Sequence, residues 1–95
     1  MSSYVLSFRG QADRTAGPDE EAAWGQWFGE IGSHIADRGH RVGQVRALGA
    51  DSSRDKEVLA GYVVIDAATL DAAVAIASGC PGLQHGATVE VGEAI

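Results

Sequence analysis

VLAGYVVIDAATLDAAVAIASGCPGLQHGATVEV, Val58 to Val91, decides the fold. Its first nine residues are rich in β-branched and apolar side chains and read as a strand. Thr69 then stands where a helix N-cap belongs, and Leu70, Ala73, Val74 and Ala77 share one face of a helix predicted over Leu70 to Ser78. Gly79 and Pro81 stop it. ATVEV, Ala87 to Val91, alternates as a second strand, so this stretch is one strand-helix-strand unit.

The chain before it repeats the order with different residues. YVLSFR, Tyr4 to Arg9, alternates as a strand, and GQADRTAGP supplies turn residues up to Pro18, a good first helical residue. Asp19, Glu20 and Glu21 follow in a first turn where the helix dipole favours acids. Trp24, Trp27, Phe28, Ile31 and Ile35 form an apolar stripe, which predicts a helix ending near Gly39. RVGQVRAL, Arg41 to Leu48, reads as the next strand and GADSSRDKE as a polar loop. The whole is β-α-β-β-α-β, an α+β, ferredoxin-like domain over residues 1–95, with a four-stranded antiparallel sheet in spatial order 4-1-3-2 and both helices on one face.

That topology leaves the other sheet face open. If Leu6, Val63, Val89 and Val91 point at the helices, alternation sends Ser7, Arg9, Gln44, Arg46, Tyr62, Thr88 and Glu90 to the far side, among Val5 and Val64. A face of this mixed character on a short chain suits a second subunit, and the predicted partner is another copy, a homodimer. Ser7, Arg9, Gln44, Arg46, Tyr62 and Glu90 are the candidate ligand-binding residues, with the arginines suited to a carboxylate or phenolate. On the first helix, Gly25, Gly29, Gly32 and Ala36 recur at helical spacing although glycine costs about 1 kcal/mol against alanine there. Either their neighbours simply tolerate them, or they pack closely on the alanines of the second helix.

Composition narrows the function. The chain has 95 residues, 45% hydrophobic and 21% charged, an ordinary globular balance. A net charge of -6 without a cluster of basic residues speaks against nucleic acid. No apolar run approaches the ~20 residues of a membrane helix, and the start MSSYVLSFRG lacks the marks of a secretion signal, so the expected compartment is the cytoplasm. Cys80, the single cysteine, cannot form an intrachain disulfide and is expected to pack in the core.

The histidines are the remaining chemistry. His40 before the second strand and His85 before the fourth are expected at opposite ends of the sheet, which excludes a shared metal ion; His34, His40 and Asp66 could lie near one another at one end. No metal or cofactor is expected. His85 is the candidate acid-base residue, beside Arg9 and on the same rim as the acidic helix start and the loop carrying Asp13; the alternative is a half-exposed loop residue bonded to a nearby backbone carbonyl.

GYVVIDAATLDAAVAIASGCPGLQHGATVEV also closely resembles the corresponding segment of YCII-related, or DGPF-type, domains; YVLSFRG and EEAAWGQWFGEIG are similar too. The resemblance implies a dimeric α+β barrel in which two ferredoxin-like subunits oppose their sheets. Relatives in that family include small lyases that remove chloride from chlorinated aromatics, for which a histidine-aspartate pair is the proposed acid-base dyad. The family's helix histidine falls on or near Phe28 here, and ADSSRDKE, Ala50 to Glu57, occupies the region of the Asp-Gly-Pro-Phe tetrapeptide. Three functions are therefore expected in descending order: a dimer binding an acidic or aromatic small molecule, a dehydrochlorinase-like lyase or isomerase using His85, and a structural dimerisation module.

Overall fold

β1 (Ser2–Gln11) buries alternate residues, Tyr4, Leu6 and Phe8, and leaves Val5, Ser7 and Arg9 half-buried on the other side. The computed structural model describes residues 1–11, 14–49 and 57–95. β1 lies in the middle of the sheet and pairs antiparallel with β3 (Glu57–Ala67) and β4 (Thr88–Glu93), while β2 (Ile35–Arg41) pairs antiparallel with β3. The order β2-β3-β1-β4 is the expected one. Leu6 faces Val63 on one neighbour and Val91 on the other, which keeps the apolar set on one face.

That face is covered by two helices. α1 (Pro18–Glu30) starts with proline, carries Asp19, Glu20 and Glu21 in its first turn, and contributes Trp27, followed by Ile31 at its end, to the core. α2 (Leu70–Ala77) is capped by Thr69, whose Oγ1 accepts from the Ala72 amide at 3.1 Å, and buries Ala73 and Ala77. With Leu6, Val63 and Ile65 these residues form a single core cluster. The arrangement is an α+β, ferredoxin-like fold.

The first helix is shorter than its stripe predicts. It stops at Glu30, a 3₁₀ turn over Gly32–His34 follows, and β2 begins at Ile35, so the second strand lies over Ile35–Arg41 and not Arg41–Leu48. Gly29 and Gly32 weaken the helix just where the Ile31 amide turns back to the Trp27 and Gly29 carbonyls. Ile35 still packs on the core, but it does so from a strand, opposite Ile65. Gln44 and Arg46 consequently lie beyond the strand, exposed and without a sheet register. The small-residue stripe does not pack closely either: a β-carbon at Gly25, Gly29 or Gly32 would meet nothing within 4 Å.

The boundary shift also moves His40. At the far end of β2 it pairs with Tyr62, at the same end of the sheet as Arg9 and Thr88, so His40 and His85 share an end instead of lying at opposite ones. They belong to opposite edges, and three strand spacings of about 4.8 Å keep them roughly 14 Å apart. His34 and His40 flank β2 from its two ends, which separates His40 from Asp66; the Asp66 carboxylate accepts from Ser3 Oγ at 2.8 Å. Among the described residues no group of three His, Cys, Asp or Glu side chains is placed to hold a metal.

Candidate functional site

Register shifts in two strand pairs border a cleft. The β1–β3 register shifts between Phe8 and Arg9, and the β2–β3 register shifts before and after Asp37. Gly39 takes a left-handed φ of 64° inside the second of these, where a β-carbon would stand 1.9 Å from the Tyr62 carbonyl oxygen. Gly61 opposite Arg41 is similarly confined, 3.2 Å from the His40 carbonyl. Bare backbone at both positions lets the strands approach under the first half of α1.

The resulting space between α1 and the β2–β3 edge has a volume of about 510 Å³. On its helix side stand Glu21, Trp24, Gly25 and Phe28, the spacing i, i+3, i+4, i+7 that puts four residues on one helical face. Trp24 and Phe28 stack at 5.9 Å with their planes 30° apart, and both meet the Phe8 ring edge-on, at 5.0 and 6.4 Å. The strand side adds Arg38, His40, Arg41 and Tyr62. An aromatic interior with basic groups at the rim is unusual on a chain of net charge -6.

The charges at this rim are unequal in their commitments. Arg41 Nη2 lies 3.3 Å from Glu21 Oε1, joining the end of β2 to the start of α1. Arg38 has no hydrogen bond or ion pair among the described residues. Its guanidinium is a free planar donor set suited to a carboxylate.

A second polar cluster lies on the adjoining side of α1. Glu20 is only 7% exposed; its carboxylate accepts from Arg14 and, at 3.4 Å, from Trp24 Nε1. His85 Nδ1 stands 3.8 Å from Glu20 Oε1, with the imidazole 40% exposed. The Arg14 guanidinium holds the Glu20 carboxyl below the ordinary carboxylate range, against the opposing effect of burial. His85 ends the 3₁₀ turn Pro81–His85, and Gly86 follows with a left-handed φ of 82°. Trp24 packs over that turn, so close that a β-carbon at Gly82 would be 2.9 Å from its Cζ2. Glu20 is thus bonded to Arg14 and Trp24, with the turn before β4 beside it.

A match with a known family covers the strand side of the cleft and the turn that carries His85, and leaves out α1 and β1. A family model described as the YCII-related domain matches residues 32–93, about two-thirds of the chain, from the turn after α1 to the end of β4. The chain belongs to the YCII-related family. A comparison with curated proteins finds no match.

The expected ligand residues divide into two groups. Ser7, Arg9, Tyr62 and Glu90 come together on the open sheet face: Ser7 pairs with Tyr62 and with Glu90, and Arg9 Nη1 is 3.9 Å from Glu90 Oε1. Gln44 and Arg46 do not join them. Tyr62 also reaches the edge of the cleft; the other expected ligand residues are not among those lining it, and neither is His85. Cys80 is a core residue, and burial pushes its thiol pKa up. Asp13 and the Ala50 to Lys56 part of the loop compared with the Asp-Gly-Pro-Phe region lie outside the described residues.

Proposed function

We propose that this YCII-related domain binds a small aromatic acid in the cleft between α1 and the β2–β3 edge. The observation that carries the reading is the stacked Trp24–Phe28 pair inside a space of about 510 Å³ with Arg38 uncommitted at its rim. Ligand sites commonly enclose about 300 to 1,000 Å³, are mostly apolar, and use a few polar groups for orientation. The ring of the ligand lies against Trp24 and Phe28, and its carboxylate meets Arg38. Aromatic contact supplies affinity, and the guanidinium selects the anion.

The unit that does this is a homodimer in the same proposal, with the open sheet faces opposed. Val5 lies directly opposite Val64 there, half-buried in the single chain, with Ser7 and Tyr62 as the next pair.

His85 remains the residue on which a lyase or isomerase would be built, and its place beside Glu20 suits a proton carrier. It stands outside the cleft lining, however, and its Nδ1 is turned to a carboxylate already engaged by Arg14. Binding is the better supported activity.

Benzoate titrated into the protein and followed by tryptophan fluorescence tests the cleft, because Trp24 forms part of its wall. Saturable quenching is expected, with affinity reduced by about tenfold in Arg38→Gln, the lower end of what a charged hydrogen bond contributes. Absence of saturable binding to the wild type at millimolar benzoate would overturn the reading.

A further inference from the structure

We propose that Glu21 is a resident competitor for the carboxylate of the ligand, and that the Arg41–Glu21 pair lowers the affinity of the cleft for anions while leaving that for neutral molecules of the same shape unchanged. The inference rests on the cleft being a ligand site and adds a side chain that sets its affinity for anions. Both side chains line the cleft, and Arg41 Nη2 meets Glu21 Oε1 at 3.3 Å from the opposite wall. With Arg41 86% and Glu21 50% exposed, water competes for both, and such a pair is weakly held.

Exchange is then close to balanced. A ligand carboxylate that replaces Glu21 on the Arg41 guanidinium restores the same kind of charged hydrogen bond, and Glu21 returns to water. A neutral ligand has no carboxylate to exchange, so it leaves the pair in place and its affinity does not depend on Glu21. The neighbouring acid cannot play this part: Glu20, one residue earlier and about 100° round the helix, is buried under Arg14. Arg38 provides the first anchor, and Arg41 becomes the second when Glu21 yields it.

Benzoate and its neutral isostere benzamide distinguish these steps when both are titrated into wild type, Glu21→Gln, Arg41→Gln and the double variant. Glu21→Gln is expected to raise benzoate affinity roughly two- to fivefold, the scale of one exposed ion pair, and to leave benzamide unchanged. The gain should vanish in the Arg41→Gln background, where there is nothing to compete for. A gain of equal size in that background would mean that Glu21 acts only through its general field, and the proposal would fall. It would also fall if Glu21→Gln left benzoate affinity unchanged or lowered it while wild type still bound benzoate, an outcome that keeps the cleft as a ligand site. If neither probe binds the wild type, the cleft reading fails and the competitor with it.

Discussion

Trp27→Ala removes the side chain around which the helical layer is assembled. Trp27 is 4% exposed, its ring lies 5.9 Å from Phe8, 5.8 Å from Trp24 and 5.2 Å from Phe28, and its Nε1 is 3.1 Å from the β-carbon position of Gly79. A buried aromatic of this kind withdraws about 150 to 250 Å² from water, which at about 25 cal/mol per Å² corresponds to roughly 4 to 6 kcal/mol. The extended-chain reference makes that an upper value, and Trp→Ala losses in cores run about 3 to 5 kcal/mol. A domain of this size has a total stability of about 5 to 14 kcal/mol, so the variant is expected near the edge of unfolding at room temperature. Urea melts followed by far-ultraviolet circular dichroism measure the loss without depending on the deleted fluorophore. Trp27→Phe retains a ring and supplies a full transition if the alanine variant has none. A cost below about 1 kcal/mol for Trp27→Ala would show that α1 does not pack through this residue, and the cleft built on its neighbours would lose its foundation.

Two other outcomes follow from the charges and the open face. Because the Glu20 pKa is held below its ordinary 4.5, the folded state binds this proton less readily than the unfolded chain; the resulting stability is present above about pH 4.5 and is lost as pH falls through the lowered value. Glu20→Gln should therefore flatten the acid limb of a melting-temperature profile, and an unchanged acid limb would rule out the Arg14–Glu20 pair as its source. Sedimentation of the wild type should give twice the 9.8 kDa chain mass at micromolar concentration, and Val64→Lys, which places an ammonium on the open face, should give the monomer; a wild type that sediments only as monomer overturns the dimer.

The β-α-β-β-α-β order was legible because its signals are local. Thr69 before an apolar face, Gly79 and Pro81 after it, and alternation in YVLSFR each depend on a few neighbouring residues, and each reappears as a cap, a stop or a buried row. The sequence pattern puts the second strand too late because Ile35 fits two patterns. Counted from Trp24, Trp27, Phe28 and Ile31 it continues a helical stripe; opposite Ile65 it begins a strand, and only the pairing partner decides between them. Gly29 and Gly32 were the available hint, since two helix-weakening residues flank the actual end. The same error carried Gln44 and Arg46 onto a sheet they do not reach.

The cleft was harder to anticipate, because it depends on how one acidic helix start divides between two faces. Asp19, Glu20 and Glu21 read as a single solvated turn when only the dipole is considered. Glu20, however, stands four and seven residues before Trp24 and Trp27, the core-facing positions, so the stripe itself requires that carboxylate to turn inward and to find a partner. Arg14 and Trp24 supply it. Glu21 stands four and seven residues before Gly25 and Phe28, so it turns with them toward the cleft, where Arg41 waits on β2. Gly25 finds its use in the same count: with no side chain of its own, it leaves the helix wall open between Glu21 and Phe28. Adjacent identical acids thus acquire opposite roles from the helical repeat alone, one buried and bonded to Arg14 and Trp24 and the other standing at the mouth of the site.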